Sequence, residues 1–330
     1  MFVKFKDIAK FKYGTMISKF EKEGFPVFSG YQFTGYTNSY MYDDEKVLIL
    51  CRGVGGTGKT ALAPKKTWIT NLSIIVEENS KIVNYKYLYY YLSTQFKRLR
   101  KLDTGSCQSQ ITIESLNDFL IYLPLKEIQN KIASVISLLD IQINRNKAMV
   151  KRLQVLGKTI YSQYVHSSNI VKLCTISSIT TGKEDANHST ENGKYKFFTC
   201  SDDVLLCDDY KFDGKSVLVA GNGNFNVKFY DGKFNAYQRT YVIKNDTIIG
   251  NLYYTLLFNT ELFKKQANGS IVKFITINML NDINVPLFDS KINKTLNRIV
   301  IQINSINNEI HNLNKLKDEI LPLLINQQLI

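Results

Sequence analysis

A mixed α/β (α+β) fold with a pseudo-twofold internal repeat is predicted: two similar globular domains joined by two long antiparallel coiled-coil helices. Three observations predict it. Blocks of sequence recur in the same order, each copy closes on a long apolar seam, and short runs rich in branched residues alternate with turn formers inside each copy. VKFKDIAKFKYG at 3–14 returns as VKLCTISSITTG at 171–182, KVLIL at 46–50 as KSVLV at 215–219, and IVNYKYLYYYLST at 82–94 as TIIGNLYYTLLFNT at 247–260. TGSCQSQITIESLND at 104–118 returns as NGSIVKFITINMLND at 268–282, and IQIN at 141–144 recurs at 301–304. The offset drifts from about 169 residues to 160. Repeats rank ahead of single motifs because the repeated unit sets the fold. A duplicated molecule presents two similar but non-identical surfaces at a fixed separation, which suits a bipartite reader better than a one-pocket enzyme.

Residues 1–122 form the first predicted domain. KVLILCR (46–52) and NLSIIVEE (71–78) read as strands, with turn formers at their flanks. NYKYLYYYLSTQF (84–96) carries apolar and aromatic residues around its whole circumference, which predicts a short buried helix. The second domain, 167–285, follows the same plan, with strands SVLVAG (216–221) and TYVIK (240–244).

The two connecting segments, 123–166 and 286–330, differ in kind. In the first, Ile132, Ile136, Leu139, Ile143, Val150, Leu153, Ile160 and Tyr164 alternate at spacings of four and three, and Asn146 and Gly157 fill the register positions that are not apolar. In the second, Ile292, Leu296, Ile299, Ile303, Ile306, Ile310, Leu313, Ile320 and Leu324 do the same, with Lys317 interrupting. Sustained heptads of this kind predict a coiled-coil seam. Pro124 and Pro286 stand just ahead of each helix, where proline is tolerated. A helix of 36–40 residues spans roughly 55–60 Å. The link between 165 and 170 is too short for a return connection, so the helices are expected to pair antiparallel, with the globular units at opposite ends. The expected core of the pair is Ile136, Leu139, Ile143 and Leu153 against Leu296, Ile299, Ile303 and Leu313. Asn146 either fixes the register or is a tolerated polar residue.

The chain has 330 residues, 44% of them hydrophobic and 12% aromatic, enough for two full cores. Lys+Arg 42 against Asp+Glu 29 leaves a net charge of +13. That charge favours a polyanion, nucleic acid ahead of an anionic membrane, unless it reflects only a lysine-rich composition. No apolar run reaches the roughly 18–20 residues that cross a bilayer, so no membrane is expected. The N-terminus lacks the apolar core of a signal peptide. The five cysteines are scattered without a CxxC pair, and His166, His188 and His311 stand alone in sequence. This spacing argues against zinc and against a disulfide framework. No metal is expected, and a reducing cytoplasm is the natural setting.

GVGGTGKT at 53–60 matches the P-loop pattern letter for letter. A P-loop needs a helix directly after the Lys-Thr pair to bind phosphate. Here ALAPKK follows, and Pro64 in the second turn of such a helix would cost about 3 kcal/mol. The loop reads better as a glycine-rich connection between strands. No Pro-Pro pair supports an amino-methyltransferase motif, and the acidic groups around Asp43 and Asp202 read as solvated turns. No catalytic constellation is visible. The expected DNA-contacting residues are Arg52 and Lys59 beside the glycine loop, then Lys97, Arg98, Arg100 and Lys101 ahead of a Gly-Ser turn carrying Ser106 and Gln108. In the second copy they are Asn222, Asn224, Lys228, Gln238, Arg239, Ser270 and Lys273. Arginine and amide side chains can read base edges, and lysines hold phosphates.

Repeat, twin seams and basic loops together resemble the specificity subunit of type I restriction–modification enzymes. The segment TGSCQSQITIESLNDFLIYLPLKEIQNKIASVISLLDIQI is similar to that family's Gly-Ser turn, Ile-Thr strand, Ile-x-Leu-Pro and long helix, and NGSIVKFITINMLNDINVPLF repeats it. GKYKFFTCSDDV (193–204) and FDGKSVLVAGNGN (212–224) resemble one group of its target recognition domains. The second helix has VPLFDSKI where the first has LPLKEIQ, a departure from the family's lead-in. The resemblance implies two target recognition domains, each reading one half of a split sequence in double-stranded DNA, with helices that set the spacer. It also implies two docked methyltransferase (modification) subunits and motor-nuclease (restriction) subunits. S-adenosylmethionine, ATP and Mg are then expected on those partners, no cofactor on this chain, and no active site here. Two other readings are open from the residues themselves: a P-loop NTPase at 53–60, and a coiled-coil adaptor that does not bind DNA.

Overall fold

Strands and helices fall in the same order twice. The computed structural model describes every residue except 31, 54–55, 104–109, 268–272 and 327–330, and the side chain of Gln266. The first copy runs β1 (Phe2–Lys4), β2 (Ala9–Tyr13), β3 (Phe25–Ser29), β4 (Gln32–Thr37), β5 (Lys46–Leu50), β6 (Thr60–Ala63), β7 (Trp68–Ile69), β8 (Ser73–Glu78), α1 (Tyr85–Thr94), α2 (Phe96–Arg100), α3 (Ile113–Asn117) and β9 (Leu120–Tyr122), followed by the long α4 (Lys126–Tyr164). The second runs β10 (Asn169–Lys172), α5 (Leu173–Ile176), β11 (Ser178–Thr181), β12 (Tyr195–Phe198), β13 (Val204–Cys207), β14 (Ser216–Ala220), β15 (Val227–Tyr230), β16 (Phe234–Ala236), β17 (Thr240–Lys244), α6 (Ile249–Phe258), α7 (Thr260–Gln266), α8 (Ile277–Asn281) and β18 (Asn284–Leu287), followed by α9 (Ser290–Ile325).

Among the described residues the sheets repeat in kind. The antiparallel order β2-β8-β5-β6 matches β11-β17-β14-β15, and β4-β3-β7 matches β13-β12-β16. In both three-stranded sheets the last strand pairs parallel to the middle one. The first and last strands of each copy, β1 with β9 and β10 with β18, close it as an antiparallel pair. Individual hydrogen bonds recur as well. The amide of Cys51 donates to the Leu72 carbonyl at 2.9 Å, as Gly221 does to Arg239 at 2.7 Å. Ile111 donates to the Cys51 carbonyl and Ile275 to that of Gly221, both at 2.9 Å. The side chain at the third position of the buried helix donates to the same strand each time, Tyr87 to the Tyr122 carbonyl and Asn251 to the Pro286 carbonyl, both at 2.7 Å.

Period-two side-chain alternation explains the layering. In β5, Val47 and Ile49 face α1 together with Ile74 and Val76 of β8. Leu48 and Ile75 face the other way, onto Ala63 and Ile69. In the second copy Val217 and Val219 share a core with Leu252 of α6, while Leu218 and Val242 pack with Phe198 and Phe234. The inner strands β5 and β14 are therefore buried on both faces and read as nearly unbroken apolar runs, whereas the edge strands β2 and β11 are largely polar and exposed. The Ile-Thr pairs, expected as strand, are helix starts instead. Thr112 accepts from the Ser115 amide and Thr276 from that of Met279, capping α3 and α8. An N-cap threonine has extended dihedrals and so imitates a strand in sequence.

The two compact units divide both long helices. One comprises Met1–Gln142 with Leu313–Ile330, the other Ile143–Asn312. In the first unit, Ile132 and Ile136 near the start of α4 share a core with Leu321, Leu324 and Ile325 at the end of α9. In the second, Val150 and Tyr161 of α4 share a core with Leu296, Ile299, Val300 and Ile303 near the start of α9. Start meets end in each unit, which is antiparallel pairing. Of the expected pair core, Ile136, Ile143, Leu296, Ile299 and Ile303 are buried, and Leu139, Leu153 and Leu313 are half-buried.

Two of the three non-apolar seam positions have packing reasons. Gly157 and Lys317 are equivalent under the repeat, and each meets the sixth residue of the buried helix of its unit. In the first unit that residue is Tyr90, whose hydroxyl donates to Asp140 Oδ2 at 2.7 Å, while Lys317 Nζ bridges Asp140 Oδ1 at 2.5 Å and lies 5.5 Å from the Tyr90 ring centroid. In the second it is Tyr254, and a Cβ at Gly157 would overlap its hydroxyl. The Tyr254 hydroxyl is buried without a hydrogen-bond partner among the described residues.

The loop after β5 is not a P-loop. Thr60–Ala63 pairs antiparallel with β5, Thr60 against Ile49 and Ala63 against Lys46, so Lys59-Thr60 leads into a strand and not a helix. The Gly58 amide donates to the Leu50 carbonyl at 2.8 Å and closes a hairpin. Without a helix N-terminus the loop lacks the phosphate-binding element, and the NTPase reading loses its geometric basis.

Leu296→Ala should lower the unfolding free energy by about 2–5 kcal/mol, as buried leucine truncations do. Urea titration checks this, and an unchanged midpoint would show that the α9 seam is not packed as described. Gly157→Ala should lower Tm even though alanine is the better helix former, whereas Tyr254→Phe should hold or raise Tm because an unsatisfied buried hydroxyl costs about 1–3 kcal/mol.

Candidate nucleic-acid interface

Three loops converge in the second unit. The turn after β14, the turn between β16 and β17, and the segment ahead of α8 are joined by the Gly221–Arg239 and Ile275–Gly221 hydrogen bonds and by a bridge between Asn222 and Phe274. Between them lies a shallow cavity of about 210 Å³ lined by Gly221, Gln238, Arg239, Tyr241, Phe274 and Ile275. The Tyr241 hydroxyl donates to the Ile275 carbonyl at 2.9 Å and fixes the floor. Asn224, Gln238, Arg239 and Lys273 are exposed around it, and Asn222 is half-buried. The Gln238 side chain donates to Asp185 Oδ1 at 3.0 Å, which holds its amide in place.

Lys228 stands apart from this group. Its ammonium donates to the Ser201 carbonyl. It lines a separate cleft of about 400 Å³ with Lys196, Asp202 and Tyr230 facing Asn304 and Asn307 of α9. Burial lowers the pKa of both Lys196 and Lys228. Ser270 lies outside the described residues.

The first unit builds the same platform from different side chains. Arg52 takes the position of Asn222 and bridges Gln110, and its guanidinium lies 5.9 Å from the Tyr13 ring centroid. Lys59 is exposed at the hairpin, and a Cβ on neighbouring Gly58 would sit 3.0 Å from the Arg100 amide nitrogen, so the hairpin lies against α2. Lys97, Arg100 and Lys101 are exposed there. Arg98 faces the other way. It donates to Gln95 Oε1 at 2.7 Å and to the Leu120 carbonyl at 3.2 Å, and its guanidinium lies 4.7 Å from the Phe119 ring centroid. That arrangement ties α2 to β9. Ser106 and Gln108 lie outside the described residues. Burial pushes the Cys51 thiol up to about 11, so it is protonated and a poor nucleophile.

Sequence spacing left one grouping unseen. His188 does not stand alone, because its Nε2 is 2.7 Å from Asp209 Oδ1 and its Nδ1 is 3.4 Å from Glu184 Oε2. Strand pairing brings these residues together, which spacing along the chain does not show. Among the described residues no helix is long and apolar enough to cross a membrane.

Comparison with known proteins places this architecture. The model of the type I restriction modification DNA specificity domain matches twice, over residues 1–153 and 166–321. The specificity subunit of the type I restriction enzyme EcoDI from Escherichia coli is 42% identical over 118 residues, a stretch covering 36% of this chain and 27% of that protein. The crystal structure of a type I restriction-modification S subunit from M. genitalium superposes with a TM-score of 0.75 at 17% identity, covering 98% of this chain and 95% of that one, which shows a shared fold. With both copies matched, the chain belongs to the type I restriction–modification DNA specificity family and carries two copies of its domain.

Proposed function

We propose that this chain is the DNA-recognition subunit of a type I restriction–modification complex, and that each copy reads one half of a split double-stranded DNA sequence. The observation that carries the reading is the duplicated loop platform with a different polar side chain at the same place, Arg52 in one and Asn222 in the other. Arginine bridges the O6 and N7 acceptors of guanine, and asparagine pairs with N6 and N7 of adenine. Equivalent backbone with unlike base-reading groups is what two different half-sites require. Arg239, Lys273, Lys59, Lys97, Arg100 and Lys101 supply the positive rim that holds phosphates. The net charge of +13 supports a polyanionic partner.

The long helices act as the spacer and as the docking surface for two modification subunits. Adenine methylation with S-adenosylmethionine belongs to those partners, and ATP- and Mg-dependent movement and cleavage belong to restriction subunits. This chain contributes recognition and spacing, without chemistry of its own, in the cytoplasm.

Selection from randomised duplex DNA, using this chain with its modification subunit, should return two short conserved blocks separated by a fixed unconserved gap. Arg52→Ala should relax one block alone and cost about 1–3 kcal/mol, and Asn222→Ala should relax the other. Lys59→Ala should weaken binding to all sequences alike and flatten the fall of log affinity against log salt by about one. Selection that returns no enriched sequence, or affinity that does not change with salt, would count against the proposal.

A further inference from the structure

We infer that the second copy holds a zinc ion through His188, Cys207 and Asp209. The donor atoms of these three residues lie within 4.8 Å of one another, on a turn and a strand end far apart in sequence. Cys207 closes β13 and is fully buried, its thiol 3.1 Å from the Asp209 carbonyl. His188 ends the 3-10 turn Ala186–His188, with its ring edge-on to Phe197 at 5.6 Å between centroids. Its Nε2 points at Asp209 Oδ1, 2.7 Å away.

The surrounding groups are those a metal site needs. A ligating histidine usually has its second nitrogen held by a carboxylate, and a ligating carboxylate is usually hydrogen-bonded in turn. Glu184 Oε2 lies 3.4 Å from His188 Nδ1, and Asn235 Nδ2, fully buried, donates to Asp209 Oδ1 at 3.1 Å. Lys211 Nζ is 3.7 Å from the outer oxygen of Asp209, an exposed pair of little strength. One thiolate, one imidazole and one carboxylate make a borderline-soft set that favours zinc over magnesium or calcium. Three protein ligands leave the fourth tetrahedral position to water. Donors about 2.0–2.1 Å from a tetrahedral ion stand roughly 3.3–3.5 Å apart, so the His188–Asp209 hydrogen bond opens by less than about 1 Å on binding. The Cys207 proton passes to solvent as the metal enters, so affinity falls as pH falls.

The first copy lacks these donors. Tyr195 pairs with Cys207 across β12 and β13, whereas the matching Phe25 pairs with Thr37 across β3 and β4. The site therefore belongs to one repeat. It ties down the segment that carries Glu184 and Asp185. That segment receives two hydrogen bonds from Gln238, from its amide to the Glu184 carbonyl at 2.9 Å and from its side chain to Asp185 at 3.0 Å. Zinc would thus order one edge of the loop platform. This consequence rests on the DNA reading, but the metal binding does not.

The test uses the purified full chain, stripped with a chelator and titrated with Zn(II) against a chromogenic competitor, and with Co(II) as a spectroscopic probe. One equivalent of Zn(II) per chain and a thiolate-to-cobalt charge-transfer band are expected. Cys207→Ser should abolish that band, Glu184→Gln should weaken Zn(II) binding by about 10–100-fold, and Cys174→Ser should change neither. Failure of the wild-type chain to take up one equivalent, or a cobalt spectrum without the thiolate band, would overturn the proposal whether or not the variants fold. A wild-type spectrum from folded Cys207→Ser would do the same.

Discussion

Each repeat is organised around one short buried helix. In α1, Tyr87, Leu88, Tyr90, Tyr91 and Leu92 are all buried, with the central sheet on one side and the long helices on the other. In α6 every residue from Ile249 to Leu256 is buried. A helix apolar around its whole surface is stable only when covered on all sides. Burying each large apolar side chain contributes about 1.5–3 kcal/mol, an upper estimate given a compact unfolded state. The same helix also positions the strand ends, through Tyr87 to Tyr122 and Asn251 to Pro286. The central sheet and the long helices are thereby joined within each unit by a single packed element.

Duplication kept that arrangement and let individual positions diverge. Tyr90 is met by Lys317 and Asp140, whereas Tyr254 is met by Gly157. Both solutions satisfy the same geometric demand, close approach of a long helix to a tyrosine, one with a charged network and one by removing a side chain. The loop platform diverged in the same way at Arg52 and Asn222, on backbone hydrogen bonds that match residue for residue. The scaffold constrains the backbone, and the side chains facing outward are free to differ.

Much of this was legible in the sequence, for physical reasons. Heptad seams and block repeats span tens of residues, so local exceptions at Asn146, Gly157 and Lys317 do not hide them. The central strands are legible because both faces are buried and the runs are mostly apolar, with polar residues confined to their ends. The three-stranded sheets are less so, since β3, β4 and β7 are short, partly exposed and paired through a bulge at Val27 and Phe28. The threonine caps at 112 and 276 imitate strands. The sequence places Arg98 in a basic run but cannot show that its guanidinium lies against the Phe119 ring and donates to the Leu120 carbonyl. His188, Cys207 and Asp209 form no metal spacing along the chain, because the strand register and a 3-10 turn bring them together.

Under the proposed function the two copies read two separate half-sites. Genome-wide mapping of adenine methylation, in a host expressing this chain with its modification subunit, tests it most directly. A single split motif is predicted, lost when this chain is deleted and altered in one half only by Arg52→Ala. A contiguous motif, or methylation that persists unchanged without this chain, would contradict the account.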